Sequence, residues 1–154
     1  MIDFSPVTDA DDADLRALLR ENPMSGWVSL SVEREPSFSA SLDRFGRDRA
    51  VIAREGRTAV GMYLCSAQPV NVNGVAEEAC YLGGLRVSPD YRHRRRILRE
   101  GYASIARLAG VSPGQFCYTS IAVENTAARR LLEAGLPDLP RYRPIGDLVT
   151  MALP

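Results

Sequence analysis

A run of five basic side chains, Arg92 to Arg96, is the strongest candidate for anion binding in the chain. Four of the five are arginine, and the fifth, His93, is the only histidine. Guanidinium groups make charge-assisted, bidentate hydrogen bonds to phosphate oxygens. A helical apolar pattern begins at Ile97, and the free N–H groups of a helix start favour an anion. We therefore predict a phosphate-binding helix N-terminus, with a solvated basic helix start or a nucleic-acid or nuclear-localisation patch as alternatives.

Adjacent glycines, Gly83 and Gly84, interrupt an apolar strand pattern that runs from Ala76 to Val87. Two glycines inside a strand indicate a β-bulge or the close approach of another backbone. A bulge would separate this strand from its neighbour and leave backbone groups able to hydrogen-bond an extended ligand. Leu85 to Val87 would supply those groups, a few positions ahead of the arginine run.

Hydrophobic periodicity and turn residues predict the elements that position these candidates. The predicted strands are 2–7, 50–53, 58–67, 76–87, 116–123 and 148–153. The predicted helices are 8–22, 38–45, 97–109 and 124–134. Pro23 ends the first helix, and the last helix has Asn125 as its N-cap and Gly135 as its stop.

The order of these elements predicts the fold class. Three consecutive strands joined by short turns indicate antiparallel pairing, whereas strand, helix, strand in the second half indicates a right-handed parallel crossover. We predict an α/β (α+β) fold with a mixed, mostly antiparallel central sheet and helices on both faces. A length of 154 residues suits one domain, so 1–154 is predicted to form a single core.

Composition excludes several classes of function. The formal net charge is zero, all 19 basic residues are arginine, and there is no lysine. Neutrality argues against nucleic-acid binding, and the lack of lysine excludes Schiff-base chemistry. No apolar stretch approaches the ~20 residues of a membrane-spanning helix, and the acidic start lacks the pattern of a secretory signal. We expect a cytoplasmic protein with no membrane partner.

The three cysteines, Cys65, Cys80 and Cys117, each lie in an apolar, strand-like run. They are widely spaced and odd in number, and the chain has one histidine and no pair of cysteines separated by two residues. Buried free thiols are therefore expected, in preference to a nucleophile or a metal site. No metal is expected.

The stretch YLGGLRVSPDYRHRRRILREGYASIARL resembles the acetyl-CoA segment of the GNAT superfamily of N-acetyltransferases over nearly its whole length. The pattern of that family runs from a strand ending L-x-V, through a proline-containing turn, to R/Q-x-x-G-x-G/A at a helix start. Leu85, Val87 and Arg92 match it. Arg95 and Ile97 stand where the family has glycines, so this half of the segment departs from the pattern.

The last helix extends the resemblance, because Asn125, Ala128 and Leu131 match an asparagine followed by alanine and leucine. The resemblance implies that acetyl-CoA is bound as acetyl donor, with its pantetheine arm on the strand and its pyrophosphate at the helix start. Asn125 either bonds the pantetheine arm or only caps its helix. The cofactor-binding residues implied are Leu85, Arg86, Val87, Arg92, His93, Arg94, Arg95, Arg96, Ile97 and Asn125.

Catalytic candidates depart from the family more strongly. Acetyl transfer needs a deprotonated amine and a protonated leaving thiolate. Where many GNAT enzymes have a glutamate base this chain has Tyr81, and strand alternation places Glu77 on the same face, so that Glu77 acts through Tyr81 or a water. A tyrosine packed in the sheet beside a solvent-facing glutamate is the alternative. The position of the family's tyrosine acid is Leu132, which leaves Tyr118 or Tyr142 as replacements, with a core or surface tyrosine as the alternative for both.

Two functions follow from the resemblance. The first is an acetyl-CoA-dependent N-acetyltransferase that acts on the amine of a small molecule or peptide. The second is a catalytically inactive GNAT-like domain that binds CoA or regulates, as the N-terminal part of a longer protein. A homodimer is left open as the state of assembly.

Overall fold

The structure is a computed structural model that describes residues 1–24, 26–27, 29–42, 47–108, 115–135 and 141–149. Its strands are β1 (Ile2–Pro6), β2 (Arg47–Glu55), β3 (Thr58–Val72), β4 (Val75–Val87) and β5 (Cys117–Tyr118). Its helices are α1 (Asp12–Glu21), α2 (Arg95–Leu108) and α3 (Thr126–Glu133), with short 3-10 turns at Asp9–Asp11, Ser39–Ser41 and Pro89–Tyr91.

The five strands form one sheet in the order β1-β2-β3-β4-β5. Strands β1 to β4 pair antiparallel, and β5 pairs parallel to β4. The turn between β3 and β4 is Asn73-Gly74, and both residues have positive φ, as a two-residue hairpin turn that follows the twist of its strands requires. The predicted mixed, mostly antiparallel sheet is confirmed.

Helices cover both faces of the sheet, as predicted. On one face α1 packs Leu15, Leu18 and Leu19 against β2 and β3, at residues such as Ile52 and Met62. On the other face a second cluster joins β2, β3 and β4 to buried residues of α2 and α3, which are Ile97, Tyr102, Ile105 and Leu132. Among the described helices, none combines the length and the apolar character needed to cross a membrane.

The predicted β-bulge is present in β4. Met62 pairs with Arg86 and Leu64 with Gly83, so one residue of β3 faces two residues of β4, Gly84 and Leu85. Gly84 has a φ of +59°, the left-handed conformation that glycine adopts readily in this kind of bulge. The bulge changes the direction of β4 immediately before the predicted cofactor segment.

Other predicted elements differ from the structure. The helix predicted over 38–45 is wrong in its described part, where Ser39–Ser41 form one 3-10 turn and Leu42 is extended. Phe38 is fully buried against α1, so this segment contributes an apolar side chain to the core without forming a helix. Residues 43–46 lie outside the described residues.

The last two predicted strands are also shorter than expected. The strand predicted over 116–123 is limited to Cys117–Tyr118. Leu148 and Val149, at the start of the strand predicted over 148–153, are exposed and belong to no strand. The remainder of that prediction, 150–153, lies outside the described residues.

The expectation of three free thiols is wrong, because Cys65 of β3 and Cys80 of β4 form a disulfide. The register pairs Cys65 with Leu82 and Ala67 with Cys80, so the two cysteines are diagonal neighbours on one face of the sheet. Their Cα atoms are 6.2 Å apart, within the range that a disulfide spans. Cys117 is free and partly buried, and burial raises the pKa of its thiol.

Candidate functional site

The site begins where β4 and β5 diverge. The register of these strands contains only two pairs, Cys80 with Cys117 and Tyr81 with Tyr118. One position further, the Thr119 hydroxyl donates to the Leu82 carbonyl oxygen at 2.6 Å. β4 continues to Val87, so its last six residues, Leu82 to Val87, extend past the end of β5. The pairing of β4 with β5 therefore ends before the bulge, and beyond Leu82 this side of β4 has no partner strand among the described residues; we call this unpaired side the gap.

Leu85 and Val87 present backbone groups to this gap. The Ser88 N–H bonds the Val60 carbonyl on the β3 side. Because successive backbone groups along a strand point to alternate sides, those of Val87 and Leu85 point to the side that β5 leaves uncovered. These groups are available to an extended ligand in the manner of an added strand, and the binding of a pantetheine arm along this edge stays a prediction.

Two guanidinium groups already contact this edge. Arg86 Nη1 donates to the Leu85 carbonyl oxygen at 2.8 Å, and Arg92 Nε donates to the Val87 carbonyl oxygen at 3.0 Å. Arg92 Nη2 also donates to Asn22 Oδ1 at 2.9 Å. Arg92 thus ties the end of β4 to the end of α1, a contact that the sequence did not suggest. Each carbonyl oxygen has a second lone pair for a ligand donor.

The other basic residues of the run differ in how far they are engaged. Arg94 forms an ion pair with Glu55 at 3.1 Å and lies over the Tyr91 ring at 4.5 Å. The hydrogen bond from the Tyr91 hydroxyl lowers the pKa of the Glu55 carboxyl, and the contact with Arg94 lowers it further. Arg96 Nε contacts Glu100 Oε1 at 2.5 Å, one helical turn further along α2.

His93 and Arg95 are exposed, and neither side chain forms a hydrogen bond or ion pair with the described residues. Arg95 is the first residue of α2, where the N–H groups of the first turn have no intrahelical acceptor. The Ile97 N–H is bonded to the Arg94 carbonyl, and its side chain is fully buried. The side chains of the run that remain free for an anion are therefore His93 and Arg95, with Arg96 next to them and paired with Glu100; anion binding at this helix start stays a prediction.

Asn125 acts as the N-cap of α3. Its Oδ1 accepts a hydrogen bond from the Ala128 N–H at 3.1 Å, which satisfies one of the free donors at the helix start. The cap that the sequence predicts is confirmed. The capping bond uses the side-chain oxygen, so a contact to a pantetheine arm would fall to the amide N–H groups of Asn125.

A cluster of hydroxyl and aromatic groups lies at the closed end of the gap. The Tyr81 hydroxyl and Ser120 Oγ are 2.7 Å apart, and the Tyr81 ring is 5.2 Å from the ring of Tyr118. The Tyr118 hydroxyl donates to Gln68 Oε1 at 3.1 Å. Phe116 stacks on Tyr118 with centroids 6.1 Å apart. The structure thus brings Tyr81 and Tyr118 together, and adds Ser120 and Gln68.

Glu77 stands apart from this cluster. It is exposed near the β3–β4 turn and pairs with Val70. Four strand positions separate it from Tyr81, which is about 13 Å of backbone. A direct contact between the two side chains is therefore excluded by distance, so that any proton transfer between them would need intervening water.

Leu132 occupies the position of the family's tyrosine acid, and Tyr142 is one of its two predicted replacements. Both lie in the core cluster that α2 forms with the sheet. Leu132 is buried there, and Tyr142 packs against Tyr102 with ring centroids 6.5 Å apart. Burial raises the pKa of Tyr142 well above its ordinary value. The α1 face of the sheet holds the cluster of Tyr81, so Tyr142 lies on the opposite face.

Sequence reasoning missed Ser120, Gln68 and Asn22 as members of this region. Gln68 ends an apolar run in β3, and the alternation of that strand could have placed it beside the Tyr81 face. Asn22 and Arg92 are 70 positions apart, and their contact depends on how α1 crosses the sheet. Within the described parts of the chain, no group of three or more His, Cys, Asp or Glu could hold a metal ion.

No protein-family model matches the sequence, and no curated protein matches it. Solved structures match it over almost its whole length. An aminoglycoside N-acetyltransferase in complex with CoA is 18% identical with a TM-score of 0.63, over 96% of this chain and 100% of its own. A ribosomal-protein-alanine N-acetyltransferase from Brucella melitensis is 12% identical with a TM-score of 0.66, over 99% of each chain. A transcriptional regulator from Bacillus halodurans is 13% identical with a TM-score of 0.70, over 99% and 100%. Identities this low show the fold alone.

Proposed function

We propose that this chain, which has the fold of the GNAT N-acetyltransferases, transfers an acetyl group from acetyl-CoA to an amine. The observation that carries the proposal is the open edge of β4 beyond the bulge, directly followed by the exposed basic start of α2. The edge offers hydrogen-bonding groups to a pantetheine arm, and the helix start offers N–H groups and guanidinium groups to a pyrophosphate.

The reaction does not require a covalent intermediate between the acetyl group and the protein. The amine nitrogen attacks the thioester carbonyl carbon, a C–N bond forms, the C–S bond breaks, and the amine loses a proton while the thiolate gains one. A backbone N–H at the bulge would polarise the carbonyl oxygen. In this proposal the protein's contribution is to hold both substrates at the gap and to move these two protons.

The proton-transfer groups in this proposal are Tyr81 and Tyr118. The Tyr81 ring lies against Gly83, since a Cβ on that glycine would come within 2.6 Å of the ring. Tyr81 is therefore directed along β4 toward the bulge, and its hydroxyl is bonded to Ser120. Tyr118 is bonded to Gln68. Glu77 lies seven strand positions from Gly84, about 23 Å, so in this proposal it would accept the amine proton only through a chain of several waters.

The second candidate is a CoA-binding or regulatory domain without catalysis. The observation that favours it is the burial of Leu132 in the core at the position where the family carries its acid. Arg94 and Arg96 also form ion pairs with Glu55 and Glu100, which leaves less positive charge for a pyrophosphate. A solved neighbour is itself described as a transcriptional regulator.

Calorimetry with CoA and acetyl-CoA, followed by a thiol-release assay across a panel of amines, separates the candidates. We expect both nucleotides to bind and at least one amine to release CoA. If neither nucleotide binds, the transferase and the CoA-binding domain are both rejected, and only a regulatory domain that has lost the cofactor is left. Binding without release from any amine would support the regulatory domain and contradict the transferase.

A further inference from the structure

Arg86 is a partly buried cation without an anionic partner among the described residues. Its side chain is half-buried on the α1 face, and its Nη1 donates to the Leu85 carbonyl oxygen. Its Nε is buried and has no hydrogen-bond partner among the described residues. Neither Arg86 nor Arg92 has a carboxylate oxygen within 4.0 Å in the described chain.

The electrostatic environment of Arg86 is unfavourable in the protein alone. Burial lowers the pKa of its guanidinium, and the positive charge of Arg92 lowers it further. Taking a charge out of water is unfavourable unless an opposite charge compensates. Other arginines packed against the fold have such partners, because Arg16 contacts Glu35 and Arg54 contacts Asp11. An anion beside Arg86 would remove this imbalance.

The position of Arg86 links it to the proposed acetyl-transfer site. Arg86 pairs with Met62 and Tyr81 pairs with Ser66, so both project from the α1 face of β4. Four positions of β3 separate their partners, about 13 Å, and the bulge lies between them. Tyr81 therefore marks one end of the strand segment around the bulge, and Arg86 marks the other.

We propose that Arg86 binds a carboxylate of the acceptor, so that the acceptor is a short amino acid whose amine reacts at the bulge. This inference rests on the proposed function. Leu85 directly precedes Arg86, and a group held at the bulge lies within one or two strand positions of it, about 3–7 Å. The amine and the carboxylate are accordingly separated by only a few bonds. The two guanidinium groups also repel a polyamine, which sets this site apart from one for aminoglycosides.

Matched acceptors test the proposal on the unmodified protein. Glycine, β-alanine and γ-aminobutyrate are compared with their primary amides, with release of CoA from acetyl-CoA as the rate measurement. We expect at least one carboxylate to have a kcat/KM about tenfold or more above that of its amide, since charge-assisted hydrogen bonds are the strong ones. Equal values for every acid and amide pair that turns over would overturn the proposal.

A binding measurement keeps this proposal separate from the proposed function. Calorimetry in the presence of CoA compares the N-acetylated acids with the corresponding N-acetylated amides, and it needs no turnover. Tighter binding of an acid, lost in Arg86→Gln, supports the carboxylate site even if no amine is acetylated. Equal binding of acids and amides, or competition by inorganic phosphate as strong as by the acids, contradicts it.

Arg107→Gln serves as the control variant, because Arg107 lies on the exposed side of α2 near its end. Its acid preference should equal that of the unmodified protein. In Arg86→Gln the KM of the acids should rise about tenfold while the amides keep theirs. Unchanged discrimination in Arg86→Gln would reject the assignment. If that variant does not fold, the acid and amide comparison on the unmodified protein decides alone.

Discussion

Arg92 and Asn22 are joined by a hydrogen bond of 2.9 Å that connects the β4–α2 turn to the end of α1, across 70 positions of the chain. Asn22 is 3% exposed, and its Nδ2 donates to the Leu18 carbonyl oxygen. Both polar ends of this buried amide are therefore satisfied. The basic residue that matches the first position of the GNAT helix motif thus has a structural function in this chain.

Arg92→Met should lower the free energy of unfolding by about 1–3 kcal/mol, because Asn22 Oδ1 would be left buried without its donor. Urea denaturation measures this loss when both proteins are fitted with the same dependence of the free energy of unfolding on urea concentration. Arg107→Met is the matched control and should stay within about 0.5 kcal/mol of the unmodified protein. If Arg92→Met lost no more stability than Arg107→Met, the hydrogen bond between Arg92 and Asn22 would not contribute to stability.

Gly101→Ala should destabilise the protein by about 1–3 kcal/mol or more, because a Cβ at this position would overlap the ring of Tyr63. Tyr63 is fully buried, and its hydroxyl donates to the Ile97 carbonyl oxygen at 2.6 Å. The ring therefore cannot move away without losing that bond. Thermal denaturation measures the effect. In a Tyr63→Val background the same substitution should be much better tolerated, and equal penalties in both backgrounds would disprove the overlap.

Tyr81→Phe should reduce kcat by about a hundredfold if its hydroxyl transfers a proton during acetyl transfer. The affinity for acetyl-CoA should not change, because Tyr81 lies at the closed end of the gap, away from the basic helix start. Steady-state rates and calorimetry test the two statements separately. A full kcat in Tyr81→Phe together with a large loss in Glu77→Gln would transfer the role to Glu77.

Arg95→Ala should weaken CoA binding by about tenfold and leave the binding of pantetheine unchanged, since only CoA carries phosphates. Arg94→Ala should have a smaller effect, because Arg94 is already paired with Glu55. Calorimetry with both ligands measures the differences, and Arg107→Ala controls for the general loss of one charge. Equal losses for CoA and pantetheine in Arg95→Ala would argue against a phosphate contact.

Asp11 should make stability fall at acid pH. Burial raises the pKa of this carboxyl, but hydrogen bonds from the Thr8 N–H, Arg54 and the Thr8 hydroxyl outweigh it, so the pKa lies below the ordinary 3.8. A pKa that is lower in the folded state stabilises the protein above the unfolded value, and this contribution disappears as the pH falls through the folded value. Asp11→Asn should therefore be less stable than the unmodified protein at pH ~7, with the difference shrinking toward pH ~3 in urea denaturation. A difference that does not depend on pH would contradict this.

Short sequence patterns predicted the parts of the fold that depend on residues close together in the chain. The adjacent glycines Gly83 and Gly84 predicted the bulge. The residue type at the start of the last helix predicted the cap at Asn125. The disulfide between Cys65 and Cys80 could not be predicted, because it depends on the register of β3 against β4. The helix predicted over 38–45 failed for a related reason: Phe38 is buried by its contact with α1, and apolar spacing alone does not distinguish that from a helical face.

The candidate site was predictable to a similar degree. The open edge at Leu85 to Val87 follows from the bulge, and the basic helix start follows from the arginine run. The partners that engage individual arginines did not follow, because Glu55 and Asn22 are distant in sequence from Arg94 and Arg92. The identity of the acidic and basic groups in catalysis stays a prediction.

The end of β5 has a consequence for the order in which the molecule folds. Thr119 and Leu82 are 37 positions apart in the chain, whereas β2, β3 and β4 follow one another through two-residue turns. Closing a long loop loses more conformational entropy than closing a short one, so the antiparallel meander can assemble before β5 joins it. The gap between β4 and β5 exists only after that last step. A ligand that occupies the gap should therefore slow amide hydrogen exchange in β5 more than in the β2–β3 hairpin.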